Sequence, residues 1–278
     1  VGDWLETYRG TVVRWEVDHN DHFTVAYYFA RIGDAAAGLL AAIGLDPGAA
    51  RTADCFVRYR RELRVGDIMH LDSGVVAVEP NALVLGHKIF DSGEGVLCTT
   101  VEQRVRLATP LASDARGGAE RRRVAWDGPA RERHPWPAGL AGFRDSARDI
   151  VKPAELDLAG EPALSHYIHR FSAANGHAIA AFGMTPAYMR AEGRGFSTFE
   201  FQLELRGSLR VGEAVRVRSA VGHVGSSSLR LLHVMTRDRD QEVVATLEQS
   251  GVHFDQAARR PIPLPDPLRE RARALLVT

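Results

Sequence analysis

Cysteine is scarce: only Cys55 and Cys98 occur in 278 residues, both in strand-like contexts. A disulfide framework is therefore excluded, and a reduced, cytoplasmic location is expected. No group of Cys and His residues has zinc-ligand spacing, so no metal and no resident cofactor are expected. An excess of one charge is also missing, since Lys+Arg and Asp+Glu both number 35. No overall field draws the chain to nucleic acid. The opening residues, Val1 to Glu6, lack a basic region followed by an apolar run, so no signal peptide is expected. One segment, Phe23 to Ile43, carries only two charges, Arg31 and Asp34. It is long enough to span a bilayer, but those charges, Gly33, Gly38 and many alanines point to a helix buried in protein.

What the chain does contain is a repeat. Leu63-Arg64-Val65-Gly66-Asp67 recurs as Leu209-Arg210-Val211-Gly212-Glu213, a shift of 146 residues. Kept without a gap from 63 to 103, that shift leaves 13 of 41 positions identical, including His87 with His233 and Gln103 with Gln249. Upstream, a shift of 155 sets Asn20 against Asn175 and His22 against His177. The difference implies a shorter helix-to-strand connection in the second half. Each half reads as a strand, a long apolar helix and several strands of period-two alternation, joined by glycine-marked hairpins. Hairpin-joined strands imply an antiparallel sheet, and a helix apolar nearly all round implies that the sheet wraps it. The expected class is α+β. Residues 1–109 form the first repeat, 110–150 a partly disordered crossover linker, 151–255 the second repeat and 256–278 a tail with a short helix from about Asp266.

The chemistry-bearing stretch is Asp18-His19-Asn20-Asp21-His22, at the mouth of the first apolar helix. Asp and Asn are good helix caps, so one reading is a plain helix start. The other is a site, in which a carboxylate, a carboxamide and an imidazole converge.

A strand, a long central helix and a curled antiparallel sheet resemble the hotdog arrangement, and two copies in one chain resemble a double hotdog paired as a pseudo-dimer. Val17-Asp18-His19-Asn20-Asp21-His22-Phe23 is similar to the Asp-x-Asn-Gly-His-Met signature of 4-hydroxybenzoyl-CoA-thioesterase-like proteins. Tyr59-Arg60-Arg61-Glu62 resembles a segment of acyl-carrier-protein thioesterases, whose pattern of Asp, Asn, His and a later Glu falls here on Asp18, Asn20, His22 and Glu62. Asp21 departs from the Gly of the signature. The resemblance implies hydrolysis of an acyl thioester, either acyl-CoA or acyl-carrier protein. CoA or phosphopantetheine would enter only as part of the substrate.

In that reading Asp18 is the base or nucleophile, Asn20 positions water or the carbonyl, and His22 orients Asp18 or shuttles a proton. Glu62 joins the site from a strand, and backbone N–H groups between His22 and Val25 hold the oxyanion. Phe23, Thr24, Tyr28, His87, Asn175 and His177 are expected to line the substrate site, and Arg60 and Arg61 to meet its phosphates. Under the 155 shift Asp18 meets Ala173, so the second half is expected to keep the helix start and lose the acid. Two other readings stay open, an enoyl-thioester hydratase and a non-catalytic acyl-thioester-binding protein. Assembly of pseudo-dimers into a homo-oligomer is likewise left open.

Overall fold

Alternating apolar and polar residues build the strands, and the weakly charged run builds the helix they enclose. A computed structural model of the chain describes residues 3–18 and 21–277. The chain divides into two units, Val1–Ala130 with Lys152–Ile168, and Arg131–Val151 with His169–Thr278.

In the first unit, strand β1 (Leu5–Thr11) leads through a short 3-10 turn to helix α1 (Val25–Ala42). Strands β2 (Ala50–Tyr59), β3 (Ile68–Glu79), β4 (Ala82–Asp91) and β5 (Val96–Leu107) follow. They form an antiparallel sheet in the order β1-β3-β4-β5-β2. Helix α1 lies against β1, β3 and β4. Its Phe29, Ile32, Ala35 and Leu39 are fully buried, and each large apolar side chain so placed contributes about 1.5–3 kcal/mol. Gly38 permits the close approach to β1, because a Cβ there would stand 3.2 Å from the Thr7 carbonyl oxygen.

The segment expected to be a partly disordered linker is ordered where it follows β5. Helix α2 (Ser113–Arg121) buries Ala115 and Ala119 against Leu39, Leu40 and Ile43 of α1. The Val124 N–H then donates to the Val75 carbonyl at 3.0 Å, and the Val75 N–H donates to the Arg122 carbonyl at 2.9 Å. Apolar positions spaced along a charge-rich stretch were enough to seat it.

The second unit holds β6 (Arg144–Ile150), most of α3 (Leu164–Ala180), and α4 (Pro186–Glu192). It continues with β7 (Arg194–Leu205), β8 (Ala214–Val224), β9 (Ser228–Arg237), β10 (Val243–Asp255), the short β11 (Arg260–Pro261) and α5 (Asp266–Arg273). Its sheet runs β6-β8-β9-β10-β7, the same order as the first, with β11 on β10. The tail helix α5 buries Leu268 and Ala272 beside Ile179, Phe182 and Leu231.

The repeat is real, and its later part keeps the 146 shift. Its earlier part follows a shift of 139, not 155. A shared set of backbone bonds fixes that register. Glu16 N–H bonds to Val13 at 3.0 Å and Glu155 N–H to Lys152 at 3.1 Å. Thr24 N–H bonds to Glu16 at 2.9 Å and Ala163 N–H to Glu155 at 2.8 Å. The bridge between Val17 and Phe23 recurs between Leu156 and Pro162. The second helix-to-strand connection is thus the longer one, and α4 fills it.

Candidate active site at the start of the first helix

The loop before α1 is built around two acids with different tasks. Glu16 is buried, and its carboxylate is ion-paired with Arg31 of α1. The Val13 N–H also reaches that carboxylate, at 3.3 Å. A buried charge so paired avoids the desolvation penalty of a lone one. Asp18 closes the loop: its N–H donates to the His22 carbonyl at 2.8 Å, and its Oδ1 accepts from the His22 N–H at 3.1 Å. Between them Asp21 adopts φ 61°, the left-handed region that Asp tolerates better than most residues. His19 and Asn20 lie outside the described residues.

Backbone bonds then fasten this loop to the segment after β2. Phe23 N–H donates to Leu63 at 2.8 Å, Val65 N–H donates to Asp21 at 3.3 Å, and His22 forms an isolated bridge with Arg64. That stitching carries Glu62 to the imidazole. His22 Nε2 stands 3.3 Å from Glu62 Oε2, both side chains partly exposed. Glu62 comes from the turn between β2 and β3, not from a strand as expected, because its neighbours Arg60 and Arg61 both donate backbone N–H groups to the Cys98 carbonyl, at 2.8 and 3.1 Å.

The helix that starts here is open at its end. Thr24 is the N-cap residue, but its side chain makes no capping bond, and no acidic residue lies in the first turn. Among the described residues, the buried Thr24 Oγ1 has no hydrogen-bond partner. The first-turn N–H groups and the positive end of the helix dipole therefore carry no side-chain cap, and they follow directly in the chain on the loop that holds Asp18 and His22. Phe23 is buried against Tyr28, ring centroids 4.6 Å apart. Tyr28 accepts the Leu63 N–H at 3.2 Å, and burial pushes its phenol up. It is part of the support behind the loop.

Other expected site residues are placed elsewhere. Arg61 pairs with Glu94 at 2.6 Å, while Arg60 is exposed. His87 is fully buried: Nδ1 meets Ser73 Oγ at 2.7 Å and Nε2 meets Gln103 Oε1 at 3.0 Å. Burial pushes its imidazole down to about 4. Gln103 Nε2 in turn donates to Thr52 Oγ1 at 2.8 Å. The second unit repeats the pattern, with His233 Nδ1 at 2.7 Å from Ser219 Oγ and Gln249 Nε2 donating to Thr198 at 2.7 Å. These histidines are parts of the two cores and do not line the loop.

Asn175 and His177 require a correction. They lie in the C-terminal half of α3, which begins at Leu164, and so they are not at a helix start. In the 139 register Asn175 matches Ala36. Asp18 matches Asp157, His22 matches Glu161, Asn20 matches Ala159 and Asp21 matches Gly160. The second loop therefore keeps its acid, contrary to expectation. Asp157 Oδ1 accepts from the N–H groups of Ala159 at 2.8 Å and Glu161 at 3.2 Å, and Gly160 has φ 74°. An aspartate at this point is required by the loop in both halves, whereas Asn20 and His22 are particular to the first. Sequence signals for this register were present in Glu16/Glu155, Tyr28/Tyr167 and Arg31/Arg170, but the Asn-x-His match outweighed them.

Among the described residues, no cluster of three or more His, Cys, Asp or Glu side chains could hold a metal ion. No described helix is long and apolar enough to cross a membrane.

Comparison with known proteins agrees with this architecture. The profile of the thioesterase-like superfamily matches residues 12–109 and 151–272. No curated protein matches the chain by sequence. The chain is similar in structure to an acyl-ACP thioesterase from Bacteroides thetaiotaomicron, with a TM-score of 0.66 and 11% identity over 88% of this chain and 96% of that one. It is similar likewise to the 12:0-ACP thioesterase from Umbellularia californica, with a TM-score of 0.67 and 13% identity over 88% and 93% of the two chains. At such identities the likeness speaks to the fold, which is two hotdog repeats in one chain. With its profile spanning both repeats, the chain belongs to the thioesterase-like superfamily.

Proposed function

We propose that this protein hydrolyses an acyl thioester, carried on CoA or on an acyl-carrier protein, at the start of α1. The observation that carries the reading is the contact between His22 Nε2 and Glu62 Oε2 beside an uncapped helix start. Superfamily membership and the acyl-ACP thioesterases among its structural relatives support the same chemistry.

The thioester oxygen would rest on first-turn N–H groups of α1, at Val25 and Ala26, where developing negative charge meets donors that the helix itself leaves unpaired. Asp18 would take a proton from water, and the hydroxide would add to the carbonyl carbon. Asn20 would hold that water or the carbonyl. Collapse would break the C–S bond, and the thiolate would take its proton from His22 or from solvent. A thiol with a pKa near ~8.5 is a good leaving group, so no strong acid or Lewis acid is demanded. Glu62 would fix the imidazole's orientation. Arg60, exposed two residues before Glu62, would meet a phosphate of CoA or of phosphopantetheine.

The test is a panel of saturated and enoyl acyl-CoAs and one acyl-carrier protein, followed for free thiol and for enoyl absorbance together. Thiol release that falls by about 100-fold or more in His22→Ala supports the proposal. Enoyl loss without thiol release would assign the site to hydration instead.

A further inference from the structure

A cavity lies within the first unit, and none of Asp18, His22, Phe23, Thr24 or Glu62 lines it. It has a volume of about 420 Å³, within the range of small-molecule sites. One wall is α1 from Phe29 to Leu40, and the opposite wall is the segment from Leu156 to Ser165. That second wall contains the counterpart of the Asp18–His22 loop: the Asp157 N–H donates to the Glu161 carbonyl at 2.7 Å, and the Glu161 N–H donates to Asp157 Oδ1 at 3.2 Å. The cavity therefore stands to the second loop as an open acyl-sized space beside a helix start.

The chemistry of its lining selects the occupant. Most of it is apolar, and Leu158, 74% exposed, extends the apolar surface to the rim. Its polar floor, Gln103 and Thr52, is satisfied internally by the chain from His87, so an apolar ligand leaves no buried group unpaired there. Asp34 and Asp157 are its only charged lining residues, and both are acids. Among the described residues lining it there is no cationic side chain, so a free fatty acid's carboxylate gains no ion pair there, whereas a thioester needs none. The loop, meanwhile, lacks the parts for hydrolysis. Glu161 stands where His22 does and is ion-paired with Arg51 at 2.5 Å. Ala159 replaces Asn20, so the loop offers neither the imidazole nor the carboxamide.

We infer that this cavity is a second acyl site, which holds the chain of an acyl thioester without hydrolysing it. The inference rests on the proposed thioesterase function for the identity of the ligand class.

Gly33 offers a clean way to close the cavity. It lines the space, and a Cβ added there meets nothing within 4 Å. Leucine also favours the helix over glycine, so Gly33→Leu fills the cavity without weakening α1. Ala37→Leu, one turn further on, is the second filling variant. Asp18→Asn serves as the slow-turnover parent for calorimetric titration with octanoyl-, dodecanoyl- and hexadecanoyl-CoA, with free CoA and the free acids as controls. The parent is expected to bind two equivalents of at least one acyl-CoA per chain, and the filled variants one. Free acids should fail to compete for the equivalent that filling removes. One equivalent in the parent, or two in both filled variants, overturns the second site. Failure of the thioesterase reading looks different: wild-type protein would release no thiol from any of these substrates, whatever the binding stoichiometry.

Discussion

Acidification should unfold this protein through two buried histidines before its carboxylates are exhausted. His87 and His233 are both fully buried, and burial pushes each imidazole down from 6.5 to about 4. The unfolded chain therefore binds these protons more readily than the folded one. Their contribution is fully present above pH 6.5 and is lost as pH falls towards about 4. The displacement amounts to about 3 kcal/mol per histidine, of which about 2 kcal/mol is gone by pH 5. With one histidine in each sheet, roughly 4 kcal/mol disappears between pH 7 and pH 5, a large share of the stability of an ordinary domain. Urea titrations at half-unit steps of pH would measure it, alongside His87→Gln and His233→Gln. Each variant should lose overall stability but flatten the pH dependence by about half, near 2 kcal/mol over that interval. Parallel pH profiles in the wild type and both variants would refute the reasoning, since the protons would then be taken up elsewhere.

Other consequences follow from the loops and the helix. Asp18→Ala and Asp157→Ala should each destabilise by about 1–2 kcal/mol, because each deletes a carboxylate that closes its loop; thermal denaturation would show whether the two losses match. Asp21→Gly should be neutral or slightly stabilising, whereas Asp21→Val should cost about 1–2 kcal/mol, since the position is left-handed. Gly33→Ala should raise stability by about 1 kcal/mol, as its Cβ points into open space on a helix. Glu62→Gln should lower kcat less than His22→Ala does, because the imidazole remains and loses only its orienting partner; parallel steady-state kinetics would compare them.

Much of the fold was legible in the sequence because the repeat carries it. The gapless match from Leu63 to Gln103 covers β3, β4 and most of β5, where hairpins tolerate no insertion without loss of register. The same match set His87 against His233, but neither their burial nor their partners, Ser73 and Ser219, was legible in it. The first part of the repeat was misread for a physical reason. Asn and His recur at Asn175 and His177 by composition alone, while the true correspondence rests on a buried acid, a tyrosine and an arginine set far apart, Glu16, Tyr28 and Arg31. Their meaning appears only when the loop is closed. The approach of Glu62 to His22 was expected from a resemblance, but the cause, backbone stitching of Phe23 to Leu63 and Val65 to Asp21, was not in the sequence pattern. The ordered helix α2 was hidden by its arginines, since only Ala115, Gly118 and Ala119 report its buried face.

The central claim is that the Asp18 carboxylate has a chemical task beyond closing its loop. Asp18→Asn separates the two, because asparagine Oδ1 can still accept the His22 N–H while the negative charge is gone. Thiol release from dodecanoyl-CoA, measured with the melting temperature of the same preparation, is the direct test. The expected result is a fall in kcat of about 100-fold or more with the melting temperature little changed. A variant that keeps wild-type turnover would contradict it, and would leave Asp18 with the same structural duty as Asp157 and nothing more.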